Sequence, residues 1–407
     1  MKHVLKNVVL LSLVLVIALC MASCDMLLSF FPSGNGETSN QTNESTDQTG
    51  NNPPENIPES KGLAYSVNED GVTCTVTGIG TCTDTAINIP SKIDGYRVVR
   101  IGENAFRGCD EITLVIVPQG TTDVEFAAFA ECDKLREIYL SGSVKSIGIC
   151  AFRGSCELKR IVVPNGVETV EDAAFYDCFA LENVVLPNSI KRIGNSAFYN
   201  CKKLNVAIPD SVTVIDQFAF YGCESIQTVV IPKDVKVIEE SAFRNCYNLA
   251  LLDFMEKETQ IVTIKRNAFY NCTSLESVRL PDTVTTIEQY AFYNCNNLLQ
   301  IELSASLTEI GQDAFSNCSK LAHIDVPHGM KQIGEEVFLE CTSLKTVSLP
   351  NTLQEIGRGA FWGCTSLEGI AFDGTYAQWS LIEKLNGWND GTPNYTITCT
   401  DVQFEKE

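Results

Sequence analysis

Histidine is almost missing from this chain: three residues among 407, at His3, His323 and His328. That scarcity removes the side chain most used for proton transfer near neutral pH, and it leaves the serines without a partner for a nucleophilic triad. His323 and Asp325 would share one face of a strand, with His328 in the following turn. No complete metal-ligand set accompanies them, so an exposed polar surface is expected there. No glycine-rich phosphate loop occurs, and the adjacent carboxylates Glu239–Glu240 and Glu335–Glu336 read as solvated corners. Basic residues are also short: 30 Lys and Arg against 51 Asp and Glu, a net charge of −21. Such an excess disfavours nucleic acid and anionic lipid surfaces as partners. The longest apolar run, Val8–Ala22, is fifteen residues, below the roughly 20 that a spanning helix needs. The composition thus speaks against an enzyme, a cofactor, a metal and nucleic acid.

What the chain has in abundance is a repeat. Leu181–Cys201 reads L-E-N-V-V-L-P-N-S-I-K-R-I-G-N-S-A-F-Y-N-C, and Leu204 begins the phrase again. The phenylalanine of the A-F slot falls at positions 106, 129, 152, 175, 198, 220, 243, 269, 292, 315, 338 and 361. Nine of the eleven intervals are 23 residues, the exceptions being 198→220 and 243→269. A fixed period of this length is the mark of a solenoid. Within one repeat Val184 and Leu186 point the same way on a strand and Val185 points the other. Pro187 suits a strand end, Ile190 and Ile193 return inward, Gly194 permits a corner, and Ser196–Cys201 has room for a single helical turn. One repeat cannot bury its own apolar side. Stacked copies can, by aligning Leu181, Val184, Leu186, Ile190, Ile193, Ala197, Phe198 and Cys201 in ladders.

The frame, with its recurring I-P or L-P, I-G, A-F and trailing Cys, closely resembles the leucine-rich repeats of the BspA-like family of bacterial surface proteins. The resemblance covers about Gly62–Asp401. It departs at Ser155, where Cys156 carries the displaced cysteine, and at Phe254–Gln260, where the proline is missing and three residues are inserted; both are places where the stack is expected to bend or bulge. It implies a β-rich leucine-rich repeat solenoid of about twelve repeats with short strands and single helical turns, capped at both ends. It also implies contact with host or cell-surface proteins.

The domain order follows. Residues 1–23 read as a signal peptide, with Lys2 and Lys6 ahead of the apolar run. Met21-Ala22-Ser23-Cys24 resembles a bacterial lipobox, which implies cleavage before Cys24 and a diacylglycerol on its sulfur; an ordinary signal peptide with an incidental cysteine is the alternative. Residues 24–61 form a Gly-, Ser-, Asn-, Thr- and Pro-rich tether too polar to bury a core. Residues 62–100 carry two alternating runs around Asn-Glu-Asp-Gly and read as an N-terminal β cap. Residues 101–370 are the repeats, and the aromatic-rich residues 371–407 break the frame as a C-terminal cap. The protein is accordingly placed in the bacterial cell envelope, lipid-anchored outside the cytoplasmic membrane.

Eighteen cysteines in an exported chain would ordinarily suggest disulfides. Eleven of them, however, sit three residues after a repeat phenylalanine, at positions 109, 132, 178, 201, 223, 246, 272, 295, 318, 341 and 364. A reduced, buried ladder is expected, since every rung has the same packing role. Cys74 with Cys82 and Cys150 with Cys156 are the better disulfide candidates.

Two outward rows are candidate sites. The residue between the inward pair of the first strand runs Ile116, Tyr139, Val162, Val185, Ala207, Val230, then Asp253, Arg279, Glu302, Asp325, Ser348, Ala371. The apolar part would make a stripe about 25 Å long at a strand spacing of about 4.8 Å. It is a candidate protein-contact patch, or simply β-branched residues suited to exposed strands. The switch to charge falls at the insertion near Met255, where a bend would separate the two halves. The second row follows the repeat phenylalanine: Tyr176, Tyr199, Tyr221, Tyr270, Tyr293 and Trp362. These aromatics would take a sugar or a protein, or shield neighbouring turns. The expected function is binding or adhesion to an extracellular or host surface protein. The alternatives are a carbohydrate-binding surface lipoprotein and a structural envelope protein.

Overall fold

The computed structural model describes residues 52–254 and 259–406. The lipobox, Cys24 and most of the tether lie outside the described residues, as does Met255. The fold engages the chain from Ile57, ahead of the expected cap boundary at Gly62: the Ile57 carbonyl accepts from Asn88, and buried Ser60 exchanges hydrogen bonds with Asn88.

Each coil is laid out by its frame. The second to fourth residues after the leucine form a short strand, such as Asn183–Val185 after Leu181, with the middle residue buried and its neighbours outside. The proline ends it, and its carbonyl accepts the amide three residues on, as Ile190 to Pro187 at 3.1 Å. A two-residue strand follows, such as Arg192–Ile193, with the isoleucine inside. Parallel copies pair in register, Ile161 beside Val184 and Val170 beside Ile193. Thirteen such first strands, from Ala86–Asn88 to Thr396–Thr398, together with the single bridged residue Asn205, give about fourteen coils.

The first coil begins inside the expected N-terminal cap, and the two coils beyond the twelve repeats, with strands Gly369–Phe372 and Thr396–Thr398, run into the C-terminal one. Ala86-Ile-Asn-Ile-Pro90 matches the I-x-I-P part of the frame and pairs with Leu114–Ile116, while an antiparallel pair, Ala64–Val67 and Thr73–Gly78, extends the second-strand sheet beside Tyr96–Ile101. At the other end Trp388 takes the backbone place of the repeat alanine, its carbonyl accepting the Phe361 amide as that of Ala360 accepts Phe338, and its ring meets Phe361 edge-on at 6.1 Å. A six-residue helix, Tyr376–Leu381, opened by a Thr375–Gln378 capping box, replaces the proline turn of that coil. The C-terminal cap therefore continues the coil although its residues break the frame.

The core is a set of columns. All twelve repeat phenylalanines are completely buried, and successive rings stack with centroids 5.2 to 5.7 Å apart. Leu181, Val184, Ile190, Ile193, Ala197 and Cys201 are buried as expected; Leu186 is only partly so.

The single helical turn expected at Ser196–Cys201 is instead a run of tight turns. Ser196 and Asn200, two residues either side of Phe198, both have left-handed backbone, and the same two positions are left-handed around every repeat phenylalanine. Two positive φ angles in five residues cannot be helical. They explain the Asn, Asp or Gly that usually precedes the cysteine, because those residues tolerate this conformation best. Gly194 serves a different purpose from a corner. Its φ is ordinary, but a Cβ there would lie 2.8 Å from the Asp172 amide nitrogen and 2.9 Å from the Glu171 carbonyl carbon. It is needed for close stacking of one coil on the last.

The expected bends are elsewhere. Ser155 occupies the cysteine's place without a bulge, fully buried and donating to the Phe129 carbonyl at 2.7 Å. Around the insertion, Leu251–Asp253 and Thr263–Ile264 pair with the coils on both sides. Both strand ladders lapse instead at two other steps, one coil earlier at the 22-residue interval and later between the Gln300–Glu302 and His323–Asp325 coils, where the interval is the regular 23. Asn205 keeps one isolated bridge to Asn183, and neither strand of its coil pairs with the next. There the turn face carries the hydrogen bonds, Phe220 to Ala242 at 2.8 Å among them.

Candidate functional site

The cysteine ladder is structural. All sixteen described cysteines are free, including Cys74, Cys82, Cys150 and Cys156, so neither candidate disulfide forms. Cys150 holds a left-handed turn position and Cys156 follows Ser155, which separates their roles. From Cys132 onward each ladder thiol donates to the phenylalanine carbonyl of the preceding coil, as Cys201 to Phe175 at 3.0 Å and Cys295 to Phe269 at 3.3 Å. That carbonyl also accepts an amide of its own coil. The thiol therefore satisfies a second lone pair that alanine would leave buried and bare. Burial pushes the Cys295 thiol up to about 12, well above its usual value of 9.0, which makes these thiols inert.

The first-strand face carries the first candidate row. Ile116, Tyr139 and Val162 are half-buried at the surface, and Val185 and Val230 are exposed by 43% and 38%. Their strand neighbours Val184 and Val229 are buried, so the row points outward. Ile116 pairs in register with Tyr139, and Val162 with Val185. Val230 lies across the lapse at Asn205 and pairs with Asp253, so the stripe is interrupted at Ala207. Beside the row, Tyr139, Val162, Lys159, Arg160 and Glu182 line a depression of about 380 Å³. The Tyr139 hydroxyl donates to Glu137 at 2.6 Å; burial and that carboxylate push its pKa up to about 12. Further along, Arg279 pairs with Glu302 at 3.1 Å and His323 with Asp325 at 2.9 Å. His323 also contacts Thr346, while His328 lies near Asp373, so the two imidazoles have separate partners. Among the described residues no cluster of three or more His, Cys, Asp or Glu is arranged to hold a metal ion.

The second row is a column of another kind. Tyr176, Tyr199 and Tyr221 stack at 4.6 and 4.4 Å, and Tyr270 stacks on Tyr293 at 4.7 Å. Arg244 fills the gap, its guanidinium 5.9 Å from the Tyr221 ring and 4.2 Å from that of Tyr270. Arg153 covers the other end over Tyr176 at 5.2 Å. The ring faces are thus spent on each other and on two cations. What remains for a ligand is edges and hydroxyls, which is poor ground for a sugar that needs a free face. Trp362 stands apart from the column, 45% exposed. The arginines were legible as the gap-fillers of the tyrosine row, since they occupy the same frame position, but that row was read through its aromatics alone.

A profile of the BspA type leucine rich repeat region matches residues 81–205, 168–263 and 262–380 in six copies. This span is most of the chain, and the chain belongs to that family. Among solved structures, a leucine-rich repeat protein from Bacteroides ovatus is 24% identical, with 84% of this chain and 99% of that one covered and a TM-score of 0.42. A leucine rich cell surface protein from Faecalibacterium prausnitzii is 25% identical, covering 81% and 99%, with a TM-score of 0.45. The pneumococcal vaccine antigen PcpA is 20% identical, covering 80% and 73%, with a TM-score of 0.40. No curated protein matches.

Proposed function

We propose that this protein is a surface-displayed binding module that takes a protein partner on the N-terminal part of its first-strand face. The observation that carries this reading is the outward row itself. Tyr139, Val162 and Val185 present apolar surface beside a depression, on a rigid sheet whose inner residues already fill the core. Apolar side chains so placed gain nothing for the fold and are suited to the centre of a contact. The family membership supports a non-catalytic interaction role, and the lipobox resemblance supports an anchor at Cys24 outside the cytoplasmic membrane. Immobilised chain probed with an array of purified extracellular proteins, beside a glycan array, tests the partner class. Saturable capture of a protein is expected; binding to glycans alone would contradict the reading. The anchor is tested by fatty-acid labelling: Cys24→Ser should lose the label and leave the membrane fraction, and equal labelling of the variant would refute lipidation.

A further inference from the structure

The C-terminal cap carries an open-sided cavity of about 370 Å³ lined by no residue of the proposed binding face. Its walls include Tyr376, Trp379, Trp388, Tyr395, Lys384 and Lys406. The helix Tyr376–Leu381 brings Trp379 against Phe372 and Trp388, and Lys384 follows it on the short strand that closes the coil.

The two lysines are the unusual feature. The chain carries a large acidic excess, yet among the described residues no carboxylate lies within ion-pair distance of either ammonium. Lys384 donates to the Trp379 and Ile382 carbonyls at 2.8 and 3.0 Å, with its Nζ 4.5 Å from the centre of the Trp379 ring. Lys406 donates to Thr392 Oγ1 at 2.7 Å and to the Thr392 carbonyl, with its Nζ 5.6 Å from the Tyr395 ring. An ammonium has three donors, so each keeps one. Burial holds Lys384 below the ordinary lysine value, and no charged neighbour offsets it. A half-buried cation without a counterion is costly to keep, and an arriving anion would repay that cost.

The remaining groups narrow the ligand. Ser380 donates to the Tyr376 carbonyl, leaving its oxygen free to accept. The Tyr395 hydroxyl accepts from Asn389 at 2.8 Å and keeps its proton to donate. Aromatic walls, hydroxyl-matching groups and two fixed cations in a space at the small end of ligand pockets suit one ring bearing hydroxyls and a carboxylate. We infer that the C-terminal cap binds an acidic monosaccharide, its carboxylate between Lys384 and Lys406 and its ring against Tyr376 and Trp388, since an ammonium already lies over each of the Trp379 and Tyr395 rings.

The three tryptophans of the chain are Trp362, Trp379 and Trp388, and two line the cavity, so intrinsic fluorescence reads occupancy. The full chain should show a saturable change with glucuronate at constant ionic strength, and binding at least about tenfold weaker with glucose, the loss expected when a bond to a charged group goes unmade. Lys384→Met and Lys406→Met should each weaken glucuronate by a similar factor while leaving the circular dichroism spectrum intact. If Lys384→Met disturbs the cap, Lys406→Met alone carries the test. No saturable change with glucuronate, equal binding of glucose, or unchanged affinity in a folded lysine variant would overturn the assignment. Acetate binding as tightly as glucuronate would also overturn it, since the ring would then contribute nothing.

Discussion

The inner phenylalanine column and the outward row of the first strands run through the same coils at the same period, and they obey different rules. Inside, twelve positions hold one residue type, every ring is fully buried, and each meets the next at nearly the same distance. Outside, the row changes from Ile, Tyr and Val to Asp, Arg, Glu and Ser, and the strands pair in register in the apolar and the charged stretch alike, Val162 beside Val185 and Arg279 beside Glu302. What stacking demands is uniform; what it leaves free varies. The tyrosine column lies between these cases, since its stack survives replacement by Arg244. A residue type repeated around the solenoid therefore reports packing, and a row whose chemistry changes partway reports something the fold did not ask for.

The strongest way to break the comparison acts only on the inside. The ladder thiols from Cys132 to Cys364 are buried and raised, with Cys295 at about 12 against 9.0 when exposed to water. A raised folded value favours the protonated thiol, so its contribution is complete below pH 9 and is lost as pH climbs toward the folded value. Each thiol should cost about 1.4 kcal/mol per pH unit above the unfolded value. With many thiols acting together, thermal stability should collapse between about pH 9 and 10, as followed by circular dichroism. A flat profile to pH 11 would mean that the thiols are not buried as a set.

A single inner substitution comes next. Phe220→Ala, between Phe198 and Phe243 at 5.4 and 5.3 Å, should cost about 3–5 kcal/mol in denaturant titration. A loss below about 1 kcal/mol would place that ring in solvent. Tyr199→Ala in the outer column should cost less, about 0.5–1.5 kcal/mol beyond its lost burial for the two ring contacts it ends. A cost equal to that of Phe220→Ala would erase the distinction between the columns.

Much of this was legible in one sequence. The period fixed the stacked coils, the alternation Val184–Val185–Leu186 gave the inward and outward faces, and the equivalence of the cysteines gave a reduced ladder. What escaped shares a physical cause: it depends on how one coil meets the next. The left-handed residues at Ser196 and Asn200 replaced an expected helical turn, although the Asn or Gly before most of the cysteines was a visible signal. Gly194 works through its clearance from Glu171 and Asp172, one repeat away in the chain. Ser155 was read as a defect because its hydroxyl was not compared with the thiol it replaces. Pairing lapses at the one-residue deletion around Asn205 and again between Glu302 and Asp325, where the period is regular, whereas the longer insertion leaves its flanking strands paired, so spacing alone does not locate the breaks. Trp388 was hidden because the frame was sought by phenylalanine, whereas it stands in the alanine's place.

The smallest stability effect belongs to the row on which the functional reading rests. Val162→Lys with Val185→Lys should shift stability by only about 0.5 kcal/mol, because both side chains face outward. Affinity of the double variant for a captured protein partner, measured by surface plasmon resonance beside Glu302→Lys with Asp325→Lys, is the most direct test. The account predicts that the valine variant loses binding while the acidic-half variant keeps it. Loss of binding in the acidic-half variant with the valine variant unaffected would contradict it and place recognition in the charged half.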